Sequence, residues 1–265
     1  MGSETCSLRK SPFNITSDPK VFFESNSHKE ALATLQYGIR ERKGLILMTG
    51  EVGTGKTTLC KTLLNRIPAG VRTSLIMNPY FSEVQLLRAI LEDFGREAKN
   101  KSRLNIINEL NAFLVRISLE GGNAVLIIDE AQNLSSRQLE QIRLLSNLET
   151  SDEKLLQIIL VGQPELDKKL RKFNLRQIRQ RIFVKYTIAP LREEEVRQYV
   201  EFRLNKAGET DIVISSASFK VIYEFSQGIP RLINMLCDRV LLLGFIKEKI
   251  SFKEEDFKEC IEELR

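Results

Sequence analysis

One stretch of eight residues constrains the fold of this chain more than any other part of the sequence. Residues 50–57 read Gly-Glu-Val-Gly-Thr-Gly-Lys-Thr and match the phosphate-binding pattern GxxxxGK[ST]. The apolar run GLILMTG at residues 44–50 precedes the motif and predicts a buried strand. A helix is predicted over residues 56–67. Because a strand, a glycine-rich turn and a helix in this order form the context of a P-loop, we predict a P-loop fold.

The residue types of this motif suit the recognition of phosphate. Glycines allow tight turns in which several backbone N–H groups point into one concavity, and the helix N-terminus adds positive potential there. Lys56 is predicted to reach the β- and γ-phosphates, and the Thr57 hydroxyl to ligate Mg²⁺. The predicted phosphate-binding residues are Gly50, Glu51, Val52, Gly53, Thr54, Gly55, Lys56, Thr57 and Thr58. An ordinary glycine turn is the less favoured alternative.

Two acidic residues end another predicted strand. The segment AVLIIDE at residues 124–130 finishes in Asp129 and Glu130, at the edge where open α/β sheets bind ligands. We expect Asp129 to hold Mg²⁺, directly or through water, and Glu130 to orient or deprotonate an attacking water. The nearest match to the guanine-reading NKxD element, at residues 205–208, lacks the acid. ATP is therefore the predicted nucleotide.

Predicted strands and helices alternate through the first two thirds of the chain. Apolar strands in this pattern indicate a parallel sheet with helices on both faces, here with five strands at residues 44–50, 71–77, 124–130, 155–162 and 183–190. We predict an N-terminal arm over residues 1–26, an α/β domain over 27–191 and a helical domain over 192–265. Ser27 and Glu30 have the spacing of a capping box, and His28 is predicted to lie at the surface or in an interface.

Composition excludes several classes of protein. The chain has 265 residues, of which 42% are apolar, but no apolar run approaches the roughly 20 residues of a membrane span. The N-terminus lacks the apolar region of a secretory signal. Four widely separated cysteines and a single histidine argue against a zinc site. We expect reduced thiols and a cytoplasmic location.

The positive charge of the chain is concentrated in one segment. The net charge is +5, yet residues 168–185 alone hold eight Lys or Arg and no acid. The remainder of the chain is therefore slightly acidic, and this basic block, as we name residues 168–185, requires an explanation of its own.

These motifs resemble a known family. The P-loop, the strand ending in Asp-Glu and the helical C-terminal domain are similar to AAA+ ATPases. Strings such as IIDEAQNL (127–134), LVGQPEL (160–166) and GIPRLINMLCDR (228–239) resemble the secretion-ATPase family, the A component of general secretion pathways. Further matching strings extend the resemblance over residues 12–239. It implies a helical lid domain, a homo-oligomer such as a ring, and Mg²⁺-dependent ATP hydrolysis that drives assembly of a secretion or pilus-type envelope machine with an envelope partner.

The resemblance also implies roles for individual residues. Gln163 occupies the position of the sensor-1 residue, where Asn, Ser or Thr is commoner across AAA+ proteins. Arg231 resembles the sensor-2 arginine that the lid brings to the γ-phosphate of its own subunit. An arginine finger that acts on the neighbouring subunit is expected just before the fifth strand, with Arg181 as first choice, Arg179 as second and Arg176 as third. A solvated basic helix face is the alternative interpretation of these arginines.

Two other functions stay open at this stage. One is an ATP-dependent DNA-binding regulator of the transposition or replication-initiator type, with the basic block on DNA; Phe173 and Phe183 are the block's only aromatic residues and give weak support for base stacking. The other is a nucleotide-gated scaffold that hardly hydrolyses ATP. Since full-length members of the resembled family continue into a membrane span and a periplasmic part, the chain is expected to be either a cytoplasmic fragment of an inner-membrane protein or a shorter relative.

Overall fold

A computed structural model describes residues 12–14, 16–98, 102–208 and 211–264 of the chain. These residues form two compact units. The sheet unit comprises His28–Gly50 and Leu59–Ile188, and the helical unit comprises the described residues up to Ser27, the segment Glu51–Thr58, and those from Ala189 onward. The predicted arm lies outside the described residues at 1–11 and 15, and the predicted domain limits stay predictions.

The sheet unit contains one five-stranded sheet with the strand order β2-β3-β4-β1-β5. All neighbouring strands are parallel. The strands are β1 (Leu45–Gly50), β2 (Val71–Ile76), β3 (Asn123–Ile128), β4 (Gln157–Gly162) and β5 (Ile182–Ile188). The predicted fold class, a parallel five-stranded sheet flanked by helices, is therefore confirmed.

The burial of the strands follows their place in the sheet. The three inner strands β1, β3 and β4 are buried at every position, as expected for near-continuous runs of Leu, Ile and Val between two helical layers. The outer strand β5 alternates, with Phe183, Lys185 and Thr187 exposed. The inner strands therefore supply the core, while β5 presents one row of side chains to solvent.

Seven helices belong wholly or partly to the sheet unit as described. They are α1 (Asn26–Arg40), α2 (Lys56–Arg66), α3 (Glu83–Asp93), α4 (Arg103–Leu119), α5 (Ser136–Leu145), α6 (Pro164–Leu170) and α7 (Arg176–Arg181). In the sheet unit α3 packs against β2, α4 against β3 and α6 against β1. Both α3 and α5 begin with a complete capping box, which satisfies N–H groups that a helix start leaves unpaired.

Two predictions about the first helix are wrong. Helix α1 begins at Asn26, so Ser27 lies within the helix and is not its N-cap. A glutamate far along the chain binds the helix start: the Asn26 N–H donates to the Glu195 carboxylate at 2.9 Å, while the Ser27 hydroxyl accepts from the Ala189 N–H at 3.0 Å. His28 is only 2% exposed, because the helical repeat places it on the apolar stripe that continues through Leu32 and Leu35.

The helical unit is built mainly from α8 (Glu193–Ala207), α9 (Ser216–Ser226), α10 (Pro230–Ile246) and α11 (Glu254–Glu263). A two-stranded ribbon joins β6 (Val213–Ile214) to β7 (Ser251–Phe252) in parallel. The unit has its own core around Val200, Ile222 and Phe257. No helix among the described residues has the length and apolar character needed to cross a membrane.

Three of the four cysteines lie in the described part of the chain. Cys60, Cys237 and Cys260 are buried and form no disulfide with one another. Burial raises the pKa of Cys237 far above its usual value, which suppresses the reactive thiolate. Cys237 therefore serves packing in the core of the helical unit. Cys6 lies outside the described residues.

A buried arginine fastens the start of the described chain to helix α8. The Arg203 side chain is 6% exposed and donates to the carbonyls of Pro12 and Asn14 at 2.8 Å each. It also donates to the hydroxyl of Tyr199, which in turn donates to Asn234 at 2.7 Å. Two backbone carbonyls thus depend on one guanidinium, and only the planar fork of arginine reaches both at once.

We expect Arg203→Met to lower the free energy of unfolding by about 2 kcal/mol, because it leaves the buried Pro12 carbonyl and the part-buried Asn14 carbonyl without this donor. Thermal or denaturant unfolding checks this. Arg197→Met is the matched control, since Arg197 lies on the same helix in an exposed ion pair with Glu201 and its loss is expected to cost no more than about 0.5 kcal/mol. Equal losses of unfolding free energy in the two variants would contradict the stabilising role of Arg203.

Candidate nucleotide site

The P-loop sits between β1 and α2. Strand β1 ends at Gly50 and α2 begins at Lys56, so the predicted strand, turn and helix are all present. Gly53 and Gly55 have φ values of +82° and +89°, in the left-handed region that side-chain-bearing residues rarely adopt. The loop therefore needs glycine at both positions. Helix α2 starts with backbone N–H groups that its own turns cannot satisfy, which is the general basis of anion binding at such ends.

The loop is held together by the carbonyl of Glu51. This oxygen accepts hydrogen bonds from the Lys56 ammonium at 2.8 Å and from the Thr54 hydroxyl at 2.8 Å. The Thr54 N–H points to the same oxygen at 3.3 Å. Lys56 and Thr54 are 6% and 1% exposed. The lysine is therefore pre-positioned within the loop, with an ammonium that carries three donors in all.

Arg231 lies against the P-loop through its backbone. Its N–H donates to the Gly53 carbonyl at 3.3 Å, and it is the second residue of α10, which begins at Pro230. A Cβ on Gly53 would lie 2.5 Å from the Cβ of Arg231 and 3.2 Å from a methyl group of Ile229. Close approach of α10 thus excludes a side chain at position 53. The Arg231 side chain itself is exposed.

In the sheet unit, Asp129 follows the last residue of β3. It is 1% exposed, and its N–H donates to the Ile76 carbonyl of β2 at 2.8 Å, which extends the sheet by one hydrogen bond. Its carboxylate accepts from the Glu130 N–H at 2.8 Å. Asp129 is therefore fixed in both backbone and side chain at the carboxyl edge of the sheet.

Glu130 has an unusual backbone conformation. Its φ of +52° is left-handed, which is rare for a residue with a side chain and is concentrated at functional sites. A single turn of 3-10 helix, Ala131–Asn133, follows.

Gln163 meets Glu130 at the same edge. It follows β4, the strand between β3 and β1, and its side-chain amide donates to the Glu130 carboxylate at 3.4 Å. A second glutamine, Gln132, donates to the same carboxylate at 2.5 Å. The sequence interpretation did not single out Gln132. Its only signal is its position two residues after Glu130 in the string IIDEAQNL.

The three candidate finger arginines lie on helix α7, immediately before β5, and all are exposed. Arg176 stacks on the Phe173 ring at 4.7 Å from its centroid. Arg179 donates to the Arg171 carbonyl at 3.5 Å. The charge of Arg181 contributes, after the larger effect of a hydrogen bond from Lys154, to lowering the pKa of Glu149.

Other cations of the basic block have partners inside the sheet unit. Asp167 pairs with Lys185 at 2.7 Å and with Arg171 at 2.8 Å, and these hydrogen bonds, that from Lys185 first, lower the pKa of Asp167. Lys169 donates to the carbonyls of Gln132 and Leu134, and burial lowers its pKa. Part of the block is therefore structural.

Comparison with known proteins identifies sequences related to this chain. Residues 39–170 match the model of the AAA domain family. The chain is 42% identical over 241 residues to General secretion pathway protein A of Aeromonas hydrophila, an alignment that covers 91% of this chain and 44% of that protein. The chain thus spans less than half the length of this curated relative.

Solved structures share the fold at low sequence identity. The Aeropyrum pernix ORC2 protein in its ADPNP–ADP complexes superposes with a TM-score of 0.70 and 16% identity, over 96% of this chain and 71% of that chain. Drosophila ORC bound to DNA gives a TM-score of 0.70 and 15% identity, over 97% and 67%. The Thermotoga maritima RuvB Holliday junction branch migration motor gives 0.62 and 18%, over 95% and 73%. With its P-loop, its strand order and its similarity to the Aeromonas protein, the chain belongs to the AAA+ class of P-loop ATPases and, within it, to the family of General secretion pathway protein A.

Proposed function

We propose that this chain hydrolyses ATP with Mg²⁺ as part of a homo-oligomer and that hydrolysis drives the assembly of a secretion or pilus-type cell-envelope machine. The observation that carries the proposal is the 42% identity to General secretion pathway protein A along 91% of the chain. An intact P-loop and the Asp129–Glu130 pair support the chemistry. The envelope partner would be a protein of that machine.

The P-loop supplies the phosphate contacts in this proposal. Residues 50–58 would surround the phosphates with backbone N–H groups, and Lys56 would exchange the Glu51 carbonyl for β- and γ-phosphate oxygens. An anion is a stronger acceptor than a neutral carbonyl. The pre-positioned lysine therefore needs only a change of acceptor when ATP binds.

The residues proposed for Mg²⁺ have the donor chemistry that the ion requires. Thr57 and Asp129 offer hydroxyl and carboxylate oxygen, the hard ligands that Mg²⁺ prefers. No group of three or more His, Cys, Asp or Glu in the described ranges is placed to hold a metal. Such P-loop sites leave the remaining positions to phosphate and water. When bound, the ion would neutralise charge on the phosphates.

Glu130 is the proposed base. Two amide N–H groups, from Gln132 and Gln163, hold one of its carboxylate oxygens, so the carboxylate has a fixed orientation from which to accept a proton from water. Gln163 is the proposed sensor-1 residue at this position. Arg231, whose backbone already contacts Gly53, is proposed to direct its exposed guanidinium to the γ-phosphate.

The trans arginine is proposed to come from α7. Its arginines are exposed, and an added positive charge at a neighbour's phosphates stabilises the charge that develops during transfer. The first candidate is again Arg181, followed by Arg179 and then Arg176. The requirement for a second subunit is what makes the active form an oligomer.

We expect Glu130→Gln to lower kcat for ATP hydrolysis by about 100-fold, because the base is lost while the shape is kept. Nucleotide affinity should change little, since Glu130 is not a proposed phosphate contact. Lys56→Ala should instead weaken nucleotide binding itself. Steady-state hydrolysis and equilibrium titration with a fluorescent ATP analogue separate the two effects. Hydrolysis that is low in the wild type and unchanged in Glu130→Gln would favour a nucleotide-gated scaffold.

Complementation between subunits tests the arginine finger. Lys56→Ala and Arg181→Ala are each expected to be inactive alone, but mixed subunits should regain a part of the activity, because some sites then combine an intact P-loop with an intact neighbour arginine. Arg171→Ala is the matched control, since Arg171 is paired with Asp167 and should stay active. Full activity of Arg181→Ala alone would exclude this residue and move the test to Arg179 and then Arg176.

An ATP-dependent DNA-binding regulator is the second candidate function. Two exposed aromatic residues of the basic block, Phe173 and Phe183, are 79% and 61% exposed. Cations lie on both rings, with Arg176 at 4.7 Å from one centroid and Lys43 at 4.8 Å from the other. Exposed rings beside cations suit stacking on bases and contact with phosphates.

Titration of duplex DNA at 50 and 200 mM salt distinguishes the two functions. For the envelope proposal we expect binding weaker than about 1 µM at both concentrations, with or without ATP, as for non-specific contacts. ATP-dependent binding in the nanomolar range with an affinity loss of about 1000-fold between the two concentrations would favour the DNA-binding function instead. Phe173→Ala serves as the check that any binding uses this surface.

A further inference from the structure

We propose that Gln132 is a positioning residue for ATP hydrolysis, which holds the Glu130 carboxylate in the orientation needed to accept a proton. This inference rests on the proposed function, because it acts through Glu130. All of the residues involved lie in the sheet unit.

The orientation of the Gln132 amide follows from its partners. Its oxygen accepts from the Gln163 backbone N–H at 3.1 Å. A backbone N–H can only donate, so the oxygen must face it and the NH₂ group must face away. That NH₂ group donates to the Glu130 Oε2 at 2.5 Å. One side chain thus joins the end of β4 to the carboxylate that follows β3.

The backbone of Gln132 is fixed as well. It lies in the 3-10 turn Ala131–Asn133, which Glu130 closes by accepting from the Asn133 N–H at 2.9 Å. The Lys169 ammonium donates to the Gln132 carbonyl at 3.0 Å and also to the carbonyl of Leu134. A basic-block residue therefore anchors the turn from helix α6.

The space for the amide exists because residue 162 is glycine. A Cβ at Gly162 would lie 2.8 Å from the Gln132 Oε1 and 3.3 Å from its backbone nitrogen. Because real Cβ atoms essentially never lie 2.8 Å from another heavy atom, a side chain on the last residue of β4 would force the Gln132 amide away from its present position. The 3-10 turn, the hydrogen bonds from Lys169 and the small residue Gly162 together place the Gln132 amide against the Glu130 Oε2.

The two carboxylate oxygens of Glu130 therefore have different roles. Oε2 accepts from the amides of Gln132 and Gln163, so the proton of an attacking water is left to Oε1. Without Gln132, the carboxylate keeps only the longer contact from Gln163 and gains rotational freedom. If the Glu130 carboxylate spends less time in the orientation that accepts a proton, kcat falls while the affinity for ATP is unchanged.

The test compares Gln132→Met with the wild type in the full chain. Methionine keeps the approximate volume and removes both polar contacts. We expect kcat to fall about 10-fold with nucleotide affinity within about 2-fold of wild type. Gln138→Met is the matched control, because the buried Gln138 amide donates to the carbonyls of Pro79 and Phe81; it should lower thermal stability and leave kcat within about 2-fold.

A double-mutant cycle separates positioning from a general structural role. Because Gln132 acts through the carboxylate, Gln132→Met should cause no further loss in a Glu130→Gln background, measured in single turnovers. Losses that multiply, a parallel fall in nucleotide affinity, or an unchanged kcat in the single variant would each overturn the proposal.

A spectroscopic readout keeps the inference distinct from the proposed function. The side-chain NH₂ signals of Gln132, identified in NMR spectra by their absence in Gln132→Met, should shift in Glu130→Gln because the charged acceptor is lost. That shift would establish the contact even in a protein that does not hydrolyse ATP, in which case the proposed function fails and the role in hydrolysis falls with it. Unshifted signals would overturn the contact itself.

Discussion

The arrangement of Asp129, Glu130 and Gln163 in the sheet unit depends on the parallel pairing of three fully buried strands. Because β1, β3 and β4 are parallel and adjacent in the order β3-β4-β1, their carboxyl ends lie at one edge of the sheet. The residues that follow them, Asp129 after β3 and Gln163 after β4, arrive there by register alone. The register pairs Ile128 with Leu160 and Thr49 with Gly162. A slip of the β3–β4 pairing would separate Glu130 from Gln163.

In each unit, the absence of a side chain at one glycine determines how closely a neighbouring element approaches. Gly53 lets the start of α10 contact the P-loop backbone, and Gly162 admits the amide of Gln132. In both cases a methyl group would collide with a neighbour at less than 3 Å. Gly53 is recognisable from the P-loop pattern, whereas Gly162 belongs to no phosphate-binding motif and its role follows from packing.

The basic block illustrates how one sequence feature separates into several physical roles. Asp167 neutralises part of it, Lys169 fastens the turn after Glu130, and the arginines of α7 remain exposed. A count of charges treats these residues alike. Their environments differ. Asp167, one position before the block, pairs with Arg171 and also with Lys185 on β5, so these two cations are neutralised while others are not.

The sequence by itself determined the strands, the P-loop and the Asp-Glu pair, since strand burial and phosphate binding leave local patterns of apolar residues and glycines. The family resemblance drawn from its strings is also upheld by the alignment to the Aeromonas protein. Only the tertiary structure decided the rest. It placed Ser27 inside the helix and Glu195 at the helix start, buried His28, and joined Gln132 to Glu130 and Gln163. These contacts join residues from different helices, strands and loops. The spacing of residues along the chain does not give the distance between side chains that meet only after folding.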